Sequence, residues 1–137
     1  MKHPFLILLP LLLALSCREP ASTETFVRGG GPYEYAVDFS DSTATWDISL
    51  YCRVDAVDAP AEIALELSWK APSEAVFTET VYLPLSAGTS FFSRESCVPY
   101  RTGVAPAERG LWQLTIAVPD VPVGLRGMGL AVRRVTD

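Results

Sequence analysis

From residue 33 onward the chain alternates. Tyr33, Tyr35, Val37 and Phe39 are separated by Glu34, Ala36 and Asp38, and Trp46, Ile48, Leu50, Cys52 and Val54 by Asp47, Ser49, Tyr51 and Arg53. An apolar residue at every second position lines one face of an extended strand, so each run predicts a half-buried β-strand. Ile63, Leu65, Leu67 and Trp69 repeat the pattern. Residues 61–70 also contain helix-favouring Ala, Glu and Leu, but a helical face needs apolar spacings of three and four, and the spacing here is two. Residues 76–83 predict a strand from their Val, Phe, Thr and Tyr content, although the alternation is blurred. Trp112, Leu114, Ile116 and Val118 predict another strand, and Met128, Leu130 and Val132 a last one. Residues 89–100 predict only a short strand or a sheet edge. Turn-forming clusters separate these runs: Ser40-Asp41-Ser42-Thr43, Asp58-Ala59-Pro60, Ala71-Pro72-Ser73 and Pro119-Asp120-Val121-Pro122.

Six to eight short strands between Pro and Gly turns predict an all-β fold, an antiparallel β-sandwich of jelly-roll or immunoglobulin-like type, over residues 33–137. Composition narrows the choice further. With 11 Pro and 9 Gly among 137 residues, long helices have no room, and bundles and coiled coils are excluded. The length fits one domain. A formal net charge of −5 and the lack of any basic stripe argue against a nucleic-acid partner.

The first residues follow a different rule. Lys2 provides a basic start, residues 4–15 form an apolar run broken by Pro4 and Pro10, and small Ser16 precedes Cys17. This is the layout of a secretory signal peptide over residues 1–16, too short for the roughly 20 residues of a membrane-spanning helix. Leu13-Ala14-Leu15-Ser16-Cys17 resembles a bacterial lipobox, which implies cleavage before Cys17 and its acylation by palmitate-like chains. Such chains contribute about 0.8 kcal/mol per buried methylene and hold a protein on the bilayer. Arg18, in place of an inner-membrane-retaining Asp, favours the outer membrane, with the periplasmic or surface face left open. Residues 18–32 are poor in apolar side chains and end in Gly29-Gly30-Gly31-Pro32. They predict a flexible tether after the lipidated cysteine, at 17–32 in all.

Cleavage before Cys17 leaves 121 residues, removes Lys2 and His3, and shifts the formal charge to −6 with no histidine. Without an imidazole, Ser-His-Asp and Cys-His mechanisms have no proton shuttle, and two remaining cysteines cannot close a zinc site. No catalytic residue, metal ligand or cofactor is expected, and no small-molecule ligand. Lys70 falls on the outward row of its strand, and Asp38, Asp41, Asp55 and Asp58 suit turn hydrogen bonds better than a calcium loop. Trp46, Trp69 and Trp112 fall on the apolar rows and are expected in the core. Cys52 and Cys97 are candidates for a disulfide, if their strands pack across the core, or for two buried thiols. Tyr51 and Tyr82 fall outward and are candidate interaction aromatics.

One resemblance covers most of the mature chain. After Cys17 come Trp46 with Ile48-Ser49-Leu50-Tyr51-Cys52-Arg53, then residues 65–72 closing on Pro72, then Pro99-Tyr100-Arg101. Gly110-Leu111-Trp112-Gln113-Leu114-Thr115-Ile116 and Leu125-Arg126-Gly127-Met128-Gly129-Leu130-Ala131-Val132-Arg133 follow. This order resembles the GldH-type gliding-motility lipoproteins. The family's Gln-Ala-Met-Arg segment is replaced by Val118-Pro119-Asp120-Val121-Pro122, and its final Gly-Leu-Arg by Gly129-Leu130-Ala131. The resemblance implies an envelope component associated with gliding or with the secretion linked to it, without catalytic residues. The expectation is a non-catalytic lipoprotein with two partners, the bilayer through Cys17 and other cell-envelope proteins. The alternative is a surface carbohydrate-binding sandwich, which needs two aromatic faces exposed side by side.

Overall fold

A computed structural model of the chain describes residues 22–55, 60–85 and 94–136. Eight strands occupy them: β1 (Ser22–Arg28), β2 (Tyr33–Asp38), β3 (Ala44–Val54), β4 (Glu62–Lys70), β5 (Val76–Pro84), β6 (Arg94–Val104), β7 (Leu111–Ala117) and β8 (Leu125–Thr136). Among the described residues there is no helix. All pairings are antiparallel, and the strands form two four-stranded sheets, A in the order β1-β8-β3-β6 and B in the order β2-β7-β4-β5. The pairs β1–β8, β2–β7, β3–β6 and β4–β5 join the two halves of the chain symmetrically, as if one long double strand were wound around a barrel. That strand order is the jelly roll.

The period of two becomes the two-layered core. Tyr33, Tyr35 and Val37 on β2, Trp46, Ile48, Leu50, Cys52 and Val54 on β3, and Ile63, Leu65, Leu67 and Trp69 on β4 are all buried. So are Trp112, Leu114 and Ile116 on β7 and Met128, Leu130 and Val132 on β8. Burial of the three tryptophans matches the apolar rows on which they fall. Phe39 sits among them, with ring centroids 5.0 Å from Trp46, 6.2 Å from Trp69 and 6.3 Å from Trp112. The Trp112 indole donates a hydrogen bond to the Glu108 carbonyl at 2.9 Å, and the buried Tyr35 hydroxyl donates to the Met128 carbonyl at 2.5 Å. Burial raises the pKa of both Tyr33 and Tyr35, because a phenolate would lose its water.

Three expectations change. Residues 22–28, assigned to the tether, form β1, whose seven residues pair with residues 127–133 of β8. The strand has no alternation to betray it because only Val27 reaches the core. The glycines after β1 are the corner where the chain crosses from sheet A to sheet B: the Gly29 amide donates to the Arg126 carbonyl at 2.8 Å, and the Tyr33 hydroxyl donates to the Gly29 carbonyl at 2.5 Å. The edge expected near residues 89–100 is β6, an eleven-residue strand that runs on to Val104. Lastly, Cys52 is a free, buried thiol, so the bridge to Cys97 is not formed. β3 and β6 are neighbours in sheet A and do not face each other across the core. Cys52 pairs with Ser96 while Cys97 pairs with Tyr51, so the two cysteines occupy positions that belong to opposite faces of the sheet. Residues 1–21, including the expected cleavage position and Cys17, and Asp58 lie outside the described residues.

Candidate interaction surfaces

An antiparallel sandwich has four edge strands, and each presents unpaired backbone groups to any passing strand. Three of the edges here carry the features that discourage such pairing. β1 places Glu24 and Arg28 on its outward row, and β2 is six residues long with Glu34 and Asp38 outward. β6 contains Pro99 and Gly103, and its register with β3 shifts twice between Trp46 and Ser49. β5 carries them only at its last residue and on its inner side, where Pro84 closes the strand and Glu79 faces the sandwich. Its nine residues pair with β4 without a register shift, and its outward row is Val76, Thr78, Thr80 and Tyr82, with no charge and no proline before Pro84. Tyr82 is 61% exposed.

The inward row of β5 explains how the strand is held. Phe77, Glu79, Val81 and Leu83 lie opposite Trp69, Leu67, Leu65 and Ile63, and Leu83 alone is fully buried. Glu79 reaches over the open side of the sandwich to β6. There the Tyr100 hydroxyl donates to one carboxylate oxygen and Arg101 donates to the other at 2.7 Å. Tyr100 also accepts a hydrogen bond from the Trp69 indole at 3.2 Å, and the Arg101 guanidinium sits 4.6 Å above the Tyr100 ring. A carboxylate bound by one phenol and one guanidinium is satisfied on both oxygens. This clasp fixes the edge of sheet B to the edge of sheet A while leaving the outward row of β5 uncovered. Beside it, Phe39, Trp69, Tyr100, Pro106 and Trp112 line an apolar recess of about 180 Å³.

Tyr51, the other candidate aromatic, lies on the outer face of sheet A, so it shares no surface with Tyr82. Its position is set by glycine. Phe26, Gly129 and Tyr51 stand in one row across β1, β8 and β3. A Cβ at Gly129 would fall 2.0 Å from the Tyr51 ring, and one at Gly127 would fall 2.5 Å from the Phe26 ring. The absence of both side chains lets the two rings lie down on β8, stacked at 5.8 Å with 18° between their planes. Phe26 keeps 39% of its surface exposed and Tyr51 is half-buried. At one margin of the pair, Asp55 accepts hydrogen bonds from Arg126 at 2.7 Å and Arg53 at 3.3 Å.

On the opposite open side, a groove of about 610 Å³ runs between β1 and β2. Leu130, Val132, Tyr35, Val37 and Trp46 form its floor, and Thr23, Thr25 and Arg134 its rim. Arg134 is engaged with Asp41 at 3.5 Å. The turn aspartates act as turn residues: Asp38 accepts from the Ser40 amide and Asp41 from the Thr43 amide, both at 2.9 Å. Asp41 is thereby held below the usual carboxylate range, chiefly by Thr43 and then by Arg134. Asp47 is lowered likewise, by hydrogen bonds from Arg133 first and then from the Gly103 amide. Lys70 is exposed and pairs with Glu74 at 3.8 Å. Burial alone pushes the Cys52 thiol up to about 11, which suits an inert packing group and not a nucleophile. Among the described residues no group of three or more His, Cys, Asp or Glu side chains could hold a metal ion, and no helix is long and apolar enough to cross a membrane.

Neither a protein-family model nor any curated protein matches the chain.

Proposed function

We propose that the protein is a lipid-anchored, non-catalytic component of a bacterial cell envelope that binds another envelope protein by accepting an extended segment along β5. The observation that carries this reading is the contrast among the four edges. Three bear outward charges, a proline inside the strand or register shifts, whereas β5 offers eight residues before its terminal Pro84, and their outward row is uncharged. Strand addition to such an edge draws affinity from backbone hydrogen bonds, and alternate side chains such as Thr80 and Tyr82 supply selectivity. The anchor belongs to the same proposal and is supported by the order of basic start, apolar run, Ser16 and Cys17. Placement among gliding-associated or secretion-associated lipoproteins of the outer membrane is supported by the resemblance alone. The segments nearest to that family, residues 110–116 and 125–133, coincide largely with β7 and β8 and their buried side chains. They support a shared scaffold more than a shared partner.

Two measurements test the proposal. The intact mass of the mature protein should correspond to a chain beginning at an acylated Cys17; a chain beginning elsewhere refutes the anchor. Photo-crosslinking side chains placed in living cells at Thr78, Thr80 and Tyr82 should trap one envelope protein in common. Equal capture from Glu34 and Asp38 on β2 would remove β5 from its role.

A second reading, a carbohydrate-binding surface, draws on the Phe26–Tyr51 pair. Two stacked rings on a flat sheet face, with Arg53, Arg126 and Asp55 at their margin, offer a stacking surface and hydrogen-bonding groups to a sugar. Glycan-array binding that Phe26→Ala abolishes would promote this reading over the first.

A further inference from the structure

The winding of the chain decides which end of the sandwich faces the proposed anchor. β1 begins at Ser22, opposite Arg133 near the end of β8, and β3 begins at the same end, with Ala44 opposite Thr136. Residues 39–43 carry that end over to sheet B, where β2 and β4 finish and β5 and β7 start. Ser22, Val76 and Leu111 therefore lie at one end of the molecule. Val121 and Val123, between β7 and β8, lie at the other.

Five residue steps separate Cys17 from Ser22. They reach at most about 17 Å when extended and about 12 Å as a coil. A four-stranded sheet is itself about 15 Å wide. With β1 part of the fold, an acylated Cys17 keeps the Ser22 end of the sandwich within one domain width of the lipid.

That end is built to meet an apolar boundary. Leu111 is 57% exposed, Val76 56% and Phe77 53%. Three of the carboxylates around them are ion-paired and a fourth is hydrogen-bonded. Glu74 pairs with Lys70 at 3.8 Å, Asp41 with Arg134 at 3.5 Å and Asp47 with Arg133 at 2.7 Å, while Glu108 accepts from the Ser73 hydroxyl at 2.6 Å. The three ion pairs offset part of the repulsion that a bilayer containing anionic lipid would otherwise exert, while Glu108 and Asp38, the latter opposite Leu111, accept from the neutral groups of Ser73 and Ser40.

The geometry points to a membrane seat: Val76, Phe77 and Leu111 rest in the headgroup region of the same bilayer that holds the acyl chains of Cys17. The occupant of this surface is a lipid leaflet. The inference rests on the lipid-anchor reading and adds an orientation to it. β5 then stands upright on the membrane, with Thr78, Thr80 and Tyr82 rising into the aqueous space where a partner strand can reach them.

The test uses the full mature lipoprotein reconstituted in vesicles of phosphatidylethanolamine with a minor share of phosphatidylglycerol. Nitroxide labels are attached at Leu111→Cys, Phe77→Cys and Val123→Cys in a Cys97→Ser background, with Cys52 buried. On reconstitution, oxygen accessibility at positions 77 and 111 should rise severalfold over the detergent-free, delipidated protein, while position 123 stays at its aqueous value. Leu111→Asp should abolish the rise at position 77 without releasing the protein from the vesicles. If the protein floats with the vesicles but positions 77 and 111 remain as aqueous as 123, the seat is refuted and the anchor stands. If the protein does not float and Cys17 carries no acyl chain, both fall. Because each label also reports its own mobility in solution, a variant that fails to fold is recognised before reconstitution and replaced by a label at Val76, which must give the same rise.

Discussion

Gly129→Ala should cost far more than the exchange of one hydrogen for a methyl group implies, and the cost should depend on a residue of another strand. The new methyl group would lie 2.0 Å from the Tyr51 ring, with the three nearest obstacles all atoms of that ring. Accommodating it lifts Tyr51 off β8 and breaks its stacking on Phe26. Overpacking of this kind costs about 1–3 kcal/mol and loss of an aromatic pair about 0.5–1.5 kcal/mol. The restriction of the unfolded chain by alanine returns about 0.5–1 kcal/mol. The net loss is about 2 kcal/mol, or roughly 8 °C in Tm for a domain of this size. In a Tyr51→Ala background the obstacle is gone, so Gly129→Ala should be neutral within about 0.5 kcal/mol or stabilising. Gly127 provides the contrast. A Cβ there meets the Val27 carbonyl oxygen at 2.5 Å as well as the Phe26 ring, so Phe26→Ala should leave most of the Gly127→Ala penalty in place. Urea unfolding of the two double-mutant cycles measures this. Coupling as large in the Gly127 cycle as in the Gly129 cycle, or a Gly129→Ala cost unchanged by Tyr51→Ala, would refute the account of this face.

Three further outcomes are expected. Cys52, Tyr33 and Tyr35 all have raised folded-state pKa values, so unfolding releases protons at alkaline pH; the stability they confer is intact below about pH 9 and declines as pH rises through 11. The thiol alone contributes up to about 3 kcal/mol to that decline, and Cys52→Ala should shallow the urea-midpoint profile without flattening it. On the acid side, Asp47 and Asp41 have lowered pKa values, so their contribution is present above the ordinary carboxylate value near 4 and is lost as pH falls through the folded-state values; Asp47→Asn should weaken the acid dependence of the unfolding midpoint. Tyr100→Phe removes the hydroxyl that joins Trp69 to Glu79, should cost about 1–2 kcal/mol, and should speed amide exchange in β5 more than in β2, because β5, unlike β2, is fastened through that hydroxyl.

The elements legible in the sequence are those with one buried and one solvated face. β2, β3, β4, β7 and β8 write their burial into the chain with a period of two, and the inward rows expected for them are the rows found. β1 was invisible because it is an edge whose only core contact is Val27, so nothing selects for alternation along Ser22–Arg28. β6 was blurred because Pro99, Gly103 and the register shifts that make it a protected edge also interrupt its pattern. The candidate surfaces were half legible. The outward positions of Tyr51 and Tyr82 follow from parity, but which sheet each belongs to, and that Phe26 covers Tyr51 above a glycine, depend on pairing among strands far apart in the sequence. The same ignorance of pairing made Cys52 and Cys97 look like partners. The polar clasp through Glu79 carried no signal, since an inward glutamate in a strand is distinguishable only once its Tyr100 and Arg101 partners are placed.

The pairing of β1 with β8 also constrains when the fold can close. Of the four strand pairs that define the wrap, only β4–β5 joins strands adjacent in sequence, and the outermost pair brings residues 22–28 against residues 127–133. Contacts so distant along the chain form slowly and only after the whole polypeptide has emerged. On the export route proposed above, this delay would be useful: the body cannot lock shut while its last strand is still on the ribosome, and would complete itself only where it is released.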